Sequence, residues 1–478
     1  MKKSLSPLIF VLFFFSLAYF SPMNKVFQYD TDEGLHLMAG FLHAHGQPLY
    51  KEILINYPPF LILLLSVLIK AFGPSVYVTR LLVLLFSTML LWALFKMMAR
   101  TQNFLSALLS TGLLVLSPYY LQLSVSVMLG IPALALAALS ILCVHFYTDD
   151  HRKRYLLLSG CLFALALQTH LFTIAFLPGL IIELAQIKKE RSFSMLWWFA
   201  ALISVYLFVA FAITSIDYRL LAESYTKMRN QSIFNGFCGF STVSGWILQQ
   251  YDIALLALGG LVFSRKNKRK CLIIPLVSLI VAVFIFSTHS PVWYHHQLVV
   301  SVSLYWLASF GIYALFDKAV WGGWESKDVL QKLRDGSAVF FLVTVLTLVL
   351  IHIPMRYSNA IQQTKANAPQ EYYHVLDLMK KFSGQTHLVV TDAPMFAFDA
   401  GLPVPPHLAT VAWKLLASNI ITTKDILNII QKDRPELILF ARFPDLDDKI
   451  APSLKGRYSL LYRHDGDSFV RLYVLNKI

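Results

Sequence analysis

The stretch FQYDTDEGLHLMAGFLHAHGQPLYKEILINYPPF, residues 27–60, decides how this chain is read, because it gathers acids, histidines and prolines between apolar runs. Asp30, Asp32 and Glu33 follow directly after the first such run. From residue 33 to 45 the spacing is helical, with Leu35, Met38, Ala39 and Leu42 on one face. Asp32, His36 and His43 share the opposite face. The spacing predicts an amphipathic helix lying on a membrane, with the acids at headgroup level. Such a place suits a substrate with a polar head and a lipid tail.

The surrounding composition supplies the membrane. Of 478 residues, 57% are AVILMFWYC, 14% are aromatic and only 14% are charged, and the mean hydropathy is +0.60. A soluble domain carries roughly a quarter charged residues, and so few charges cannot cover this much apolar surface. Soluble enzymes, nucleic-acid binders and disordered proteins are excluded on that ground. The net charge of +14 would suggest nucleic acid in a soluble chain, but here the placement of the charge matters more than its sum.

Apolar runs of spanning character lie at 7–22, 78–95, 104–122, 125–146, 155–169, 171–187, 195–215, 245–263, 271–287, 297–316 and 337–353. The first follows Lys2 and Lys3 but lacks a small-x-small cleavage site, so a retained helix is expected. Alternate loops differ in charge: one set holds 19 Lys and Arg, including the cluster RKNKRK at 265–270, and the other holds 7. The asymmetry places the N-terminus in the cytoplasm of a multi-pass inner or plasma membrane protein. The loops 23–77, 216–244 and 288–296 and the C-terminal segment then lie outside. Pro58–Phe72 is apolar enough to span, yet counting it would put the 265–270 cluster outside. It is read as an interfacial or partly inserted helix of the first external loop; the alternative makes it a true span and merges the pair 155–187.

From about Tyr357 the composition is that of a soluble domain. Residues 386–391 and 436–441 read as strands, 423–433 as a helix, and 458–463 with 468–475 as a β-hairpin around HDGDS. The expected fold class is therefore an α-helical polytopic membrane protein of about 11 spans, residues 1–356, with a small extracytoplasmic α/β domain at 357–478. No internal repeat and no phosphate-binding glycine loop is present in the sequence. Cys143, Cys161, Cys238 and Cys271 show no metal or disulfide spacing and read as small hydrophobes.

A carboxylate half-desolvated beside lipid is a candidate general base for a hydroxyl acceptor. Solvated loop acids at a helix N-terminus would give the same pattern. At this point the sequence resembles a family. Asp32-Glu33-Gly34, Gly46-Gln47-Pro48-Leu49-Tyr50, Tyr57-Pro58-Pro59, Phe72-Gly73-Pro74-Ser75 and Arg80 look like the opening of bacterial GT-C fold membrane glycosyltransferases. These are the dolichyl-phosphate-mannose protein mannosyltransferase and aminoarabinose transferase superfamily, family 39/83-like. The resemblance is strongest over 27–100 and returns in VVTDAPMFAFDAGLPVPP, residues 389–406. It implies transfer of a sugar from a polyprenyl-phosphate donor to a glycan, lipid or protein acceptor on the outer face, inverting the anomeric centre, with no cofactor expected and no metal needed in the protein mannosyltransferase branch. It also implies that Asp32 is the essential acid and Glu33 its catalytic neighbour, with Asp30 a second choice.

A leaving polyprenyl phosphate needs positive charge or donors nearby. Arg219 in SIDYRLL is the best-placed clamp on loop position, with Lys227 and Arg229 beyond it; a snorkelling anchor is the plainer reading. His170 in LALQTHLF, His295 and His296 in SPVWYHHQ, and His36 and Tyr57 in the acidic loop complete the substrate-binding candidates. His170 satisfied by Gln168, and His295 and His296 packed in an aromatic belt with Trp293 and Tyr294, are the alternatives. A divalent metal on Asp32, His36 and His43 has suitable residue types but a poor spacing. Asp252 in QQYDIALL either faces the same cavity or caps a span. Two rival functions stay open: a lipid-linked sugar flippase or transporter, and a non-catalytic glycan-binding membrane protein. The clustering of acids in one loop and the lack of a repeat favour the enzyme over the transporter.

Overall fold

The computed structural model describes residues 5–187, 193–214, 216–219, 222, 226, 239–264, 270–316, 329–365, 369–466 and 468–476. Every apolar run falls on a helix. Among the described residues six helices, Val76–Thr101, Gly130–Asp150, Ser194–Ile213, Lys270–Thr288, Tyr294–Ala314 and Gly336–Thr364, are long and apolar enough to cross a membrane. Gly239–Leu248 and Tyr251–Phe263 make a seventh if taken as one span bent by 81°. The other four expected spans are shorter. Leu5–Phe20 has 16 residues, Phe104–Val115 has 12 and Lys153–Leu167 has 15, while Leu171–Phe176 is a 3-10 turn running into Leu177–Ala185. At about 1.5 Å per residue these are shorter than a roughly 30 Å hydrocarbon core, so among the described residues six or seven helices reach spanning length, and the four shorter ones do not reach it as straight helices.

Phe60–Phe72 is a 13-residue helix, too short to cross straight. It ends because Gly73 adopts φ +78°, a conformation that glycine takes without strain. Ser75 then caps Val76–Thr101, its Oγ accepting from the Val78 N–H at 3.4 Å.

The amphipathic helix of the first loop, Glu33–Ala44, forms as its spacing predicts but is enclosed by protein instead of presenting an open face. Its residues 33–42 are all buried, polar face included. One side packs on Phe60–Phe72, where the Gly40 position lies against Leu65. The other side meets the helix Pro394–Asp399 from the far end of the chain, with Gly34 against the backbone of Met395. One apolar core joins Phe27, Leu37, Phe41 and Leu61 to Met379, Phe396, Phe398, Leu437 and Leu472. The first loop and the C-terminal domain therefore stand on the same side and share one interior.

The C-terminal unit carries a four-stranded sheet: β1 Val389–Thr391, β2 Leu437–Phe440, β3 Tyr458–Asp465 and β4 Phe469–Leu475, in the order β1-β2-β4-β3. β1 and β2 are parallel, with Val390 opposite Ile438, and the remaining pairs are antiparallel. The helices Gln370–Phe382, Thr423–Asp433 and Pro444–Leu454 accompany it. A boundary at residue 357 is not where the chain breaks: helix Val329–Thr364 runs straight through it, and the compact unit begins at Gln370.

Candidate active site

Where the first loop meets the C-terminal domain the chain encloses a cavity of about 200 Å³. Asp30, Asp32, His36 and Tyr57 line it from the first loop, His170 from the 3-10 turn, and His295 and His296 from the turn before Gln297–Ala314. Thr410, Trp413, Lys414 and Arg442 line it from the C-terminal domain.

The acidic motif divides its residues among separate tasks. Asp30 Oδ1 accepts from the Asp32 N–H at 2.7 Å, a side-chain turn that starts the helix. Its Oδ2 accepts a short bond from the Tyr294 hydroxyl, and His295 Nδ1 stands 3.9 Å away. Asp32 holds the N-cap position, yet its carboxylate makes no capping bond and turns to the cavity instead. There Arg442 Nη2 lies 3.3 Å from Oδ1, and the Asp32 side chain remains 31% exposed. Burial pushes the Asp32 carboxyl up, but the charge of Arg442, followed by Lys414, His295 and His36, holds it below the usual carboxylate range.

Glu33 is a correction. Its carboxylate is fully buried and absent from the cavity lining. It accepts from Arg80 Nε and Nη2 at 2.9 Å each, from the Tyr29 N–H at 3.0 Å and from the Val127 N–H at 3.2 Å. Arg80 in turn donates to the carbonyls of Val26 at 2.7 Å and Phe27 at 3.1 Å. Glu33 thus clamps the loop and stands outside the cavity.

His36 donates from Nδ1 to the Val127 carbonyl at 2.9 Å, which leaves Nε2 as the acceptor of the neutral ring. Burial pushes its pKa down. The Tyr57 ring meets it edge-on at 4.9 Å, and the Tyr57 hydroxyl is buried with no partner among the described residues. His170 accepts from the Phe172 N–H at 3.2 Å and so caps its turn. Gln168 does not satisfy it, donating to the Tyr206 carbonyl at 3.0 Å. His296 stacks on Phe286 at 5.4 Å, and its Nδ1 accepts from the Trp293 N–H.

The remaining candidates lie away from the cavity or outside the described residues. Arg219 is exposed, does not line the cavity, and forms a local turn in which its N–H donates to Asp217 at 2.9 Å. Lys227 and Arg229, like Cys238 and most of the 265–270 cluster, lie outside the described residues. His43 donates to the Gln47 carbonyl at 2.9 Å, away from Asp32 and His36, so the three do not assemble. Asp252 does not line this cavity; in the first turn of helix Tyr251–Phe263 it pairs with Arg356 and His352 of helix Val329–Thr364.

The sequence reading missed the cations that are present. Arg442 follows β2, and Lys414 sits on the helix Trp413–Ala417. Arg442 Nη2 donates to Thr31 Oγ1 at 3.0 Å and to Asp32, while Nη1 is buried with no partner among the described residues. Its backbone is fixed by Asp392, just past β1, whose carboxylate accepts the N–H groups of Ala441, Arg442 and Phe443 at 2.8, 3.1 and 2.7 Å. Both residues lie beyond the carboxyl ends of parallel strands, where ligand sites of α/β sheets gather. That rule was the one available signal.

Residues 56–214 match the family model described as dolichyl-phosphate-mannose-protein mannosyltransferase. No curated protein matches the chain. Among solved structures, the apo form of ArnT from Cupriavidus metallidurans superposes with a TM-score of 0.62 at 14% identity, over 98% of this chain and 97% of that one. The same protein bound to undecaprenyl phosphate gives 0.59 at 14% identity with the same coverage. The oligosaccharyltransferase AglB from Archaeoglobus fulgidus, in complex with an inhibitory peptide and a dolichol-phosphate, gives 0.57 at 10% identity, covering 92% of this chain and 70% of that one.

Proposed function

We propose that this chain, which has the GT-C fold of membrane glycosyltransferases, moves a sugar from a polyprenyl-phosphate donor to an acceptor hydroxyl on the outer face of the cell membrane. The acceptor is a glycan, lipid or protein hydroxyl, and the anomeric centre inverts. The observation that carries the reading is the uncapped Asp32 carboxylate, turned into a cavity that also holds two cations. The lipid phosphates in the two similar structures support the donor class. The loop-charge asymmetry supports the outer face.

In this reaction the acceptor oxygen bonds the anomeric carbon while its proton passes to Asp32. The bond from that carbon to the phosphate oxygen breaks on the opposite side, and its electron pair leaves with the polyprenyl phosphate. Asp32 suits the base role better than Asp30, which already accepts from Tyr294 and from the Asp32 backbone.

The test is Asp32→Asn in the purified full-length protein. The variant is expected to insert and melt like wild type while losing transfer from a polyprenyl-phosphate sugar. Wild-type transfer rates in that variant would remove the reading.

A further inference from the structure

The C-terminal domain brings positive charge to the cavity, and the first loop alone does not explain it. Asp30 is already served by Tyr294 and the Asp32 N–H; Arg442 lies 3.3 Å from the Asp32 carboxylate, and Lys414 lines the same cavity. Beside them are donors without hydrogen-bond partners among the described residues: Arg442 Nη1 and the Tyr57 hydroxyl. Buried polar groups left open in a native fold call for a group that completes them. A guanidinium with one arm free offers a planar fork that fits phosphate oxygens, and an ammonium adds a point charge. Three backbone bonds to Asp392 hold that fork in place without occupying it.

Resting on the glycosyl-transfer reading, we propose that Arg442 and Lys414 form the site for the phosphate of the lipid-linked donor, and that the arriving phosphate takes Arg442 over from Asp32. The charges balance at both ends of the step. Before transfer, two cations face the Asp32 carboxylate and a phosphodiester of charge −1. After transfer, Asp32 carries the acceptor's proton and the same two cations face a phosphate monoester approaching −2. The domain after residue 369 is then part of the donor site, and its docking onto helix Glu33–Ala44 completes the enzyme.

The experiment measures binding to the full-length protein in nanodiscs, with undecaprenyl phosphate, undecaprenol and inorganic phosphate as separate probes. Wild type is expected to prefer undecaprenyl phosphate over undecaprenol, and inorganic phosphate to compete only weakly. Lys414→Gln and Arg442→Gln should each weaken undecaprenyl phosphate by about tenfold or more, and Lys414→Arg should restore most of the loss. If Arg442→Gln does not fold, Lys414→Gln and its Arg counterpart carry the comparison. Wild-type affinity for undecaprenyl phosphate in the Gln variants overturns the proposal. It leaves the glycosyltransferase reading standing if Asp32→Asn still abolishes transfer. Inorganic phosphate binding as tightly as the lipid, lost in the same variants, would assign these cations to a free anion and also overturn it. A wild type that binds undecaprenol as well as undecaprenyl phosphate and transfers no sugar sinks both readings.

Discussion

Arg80 grips Glu33 through two hydrogen bonds of 2.9 Å, with both side chains essentially inaccessible to water, while the preceding residue, Asp32, faces the cavity. Removing one partner of a buried pair leaves the other charge uncompensated, at a cost of about 3–5 kcal/mol. Glu33→Gln is therefore expected to lower the melting temperature of the detergent-solubilised protein sharply. Asp32→Asn, whose ion pair is partly exposed and worth little, should leave it nearly unchanged. Equal melting of the two variants would contradict this division of labour.

Gly34, the third residue of the motif, is fixed by its neighbour. A Cβ there would lie 2.6 Å from the Met395 N and 2.8 Å from its Cβ, closer than packed atoms sit. Gly34→Ala must push helix Pro394–Asp399 away, an overpacking strain of about 1–3 kcal/mol. The expected outcome is faster hydrogen exchange in that helix and reduced transfer, with insertion of the membrane helices unaffected. Unchanged exchange protection would show that the contact yields without consequence.

The apolar runs were legible because a 20-residue hydrophobic helix has no competing solution. The partner of the amphipathic helix was not. Its stripe pattern says that one face is apolar, and says nothing of a second layer that buries the polar face as well. His36 finds its carbonyl 91 positions away at Val127, and Asp32 finds Arg442 410 positions away. Loop position made Arg219 look like the clamp, whereas the cations in the cavity come from a domain whose sequence carries no phosphate motif. The acid of the site was visible as a local cluster; its electrostatic partners are tertiary.

Because Arg442 and Lys414 hold the Asp32 carboxyl below its ordinary range, the base should titrate differently once a phosphate neutralises them. The acid limb of kcat/KM reports the free enzyme, and that of kcat the substrate complex. The limb of kcat is expected at higher pH than the limb of kcat/KM. In Lys414→Gln the free-enzyme limb should move up toward the kcat limb. Coincident limbs in wild type would mean that the donor leaves these cations where they are.

Asp392 gives a pH test of the scaffold beneath Arg442. Burial pushes its carboxyl up to about 6, outweighing the three backbone donors of Ala441, Phe443 and Arg442 and the Arg442 charge. An unfolded Asp titrates near 3.9, so between about pH 4 and 6 the folded state holds more protons than the unfolded one. Stability from this group is therefore greatest below pH 4, falls as pH rises through that window, and stays reduced above 6. Two pKa units correspond to roughly 3 kcal/mol. Asp392→Asn cannot ionise and lacks this dependence, while contributions from other groups are common to both proteins and cancel in the difference. The melting temperature of wild type minus that of Asp392→Asn should thus increase on going from pH 7 to pH 5. Activity should behave otherwise: the Asn amide cannot accept all three N–H groups, so Arg442 loses its seat and transfer falls at every pH. A difference in melting that shrinks toward acid would mean that the backbone donors outweigh burial and that Asp392 is an ordinary low-pKa anchor.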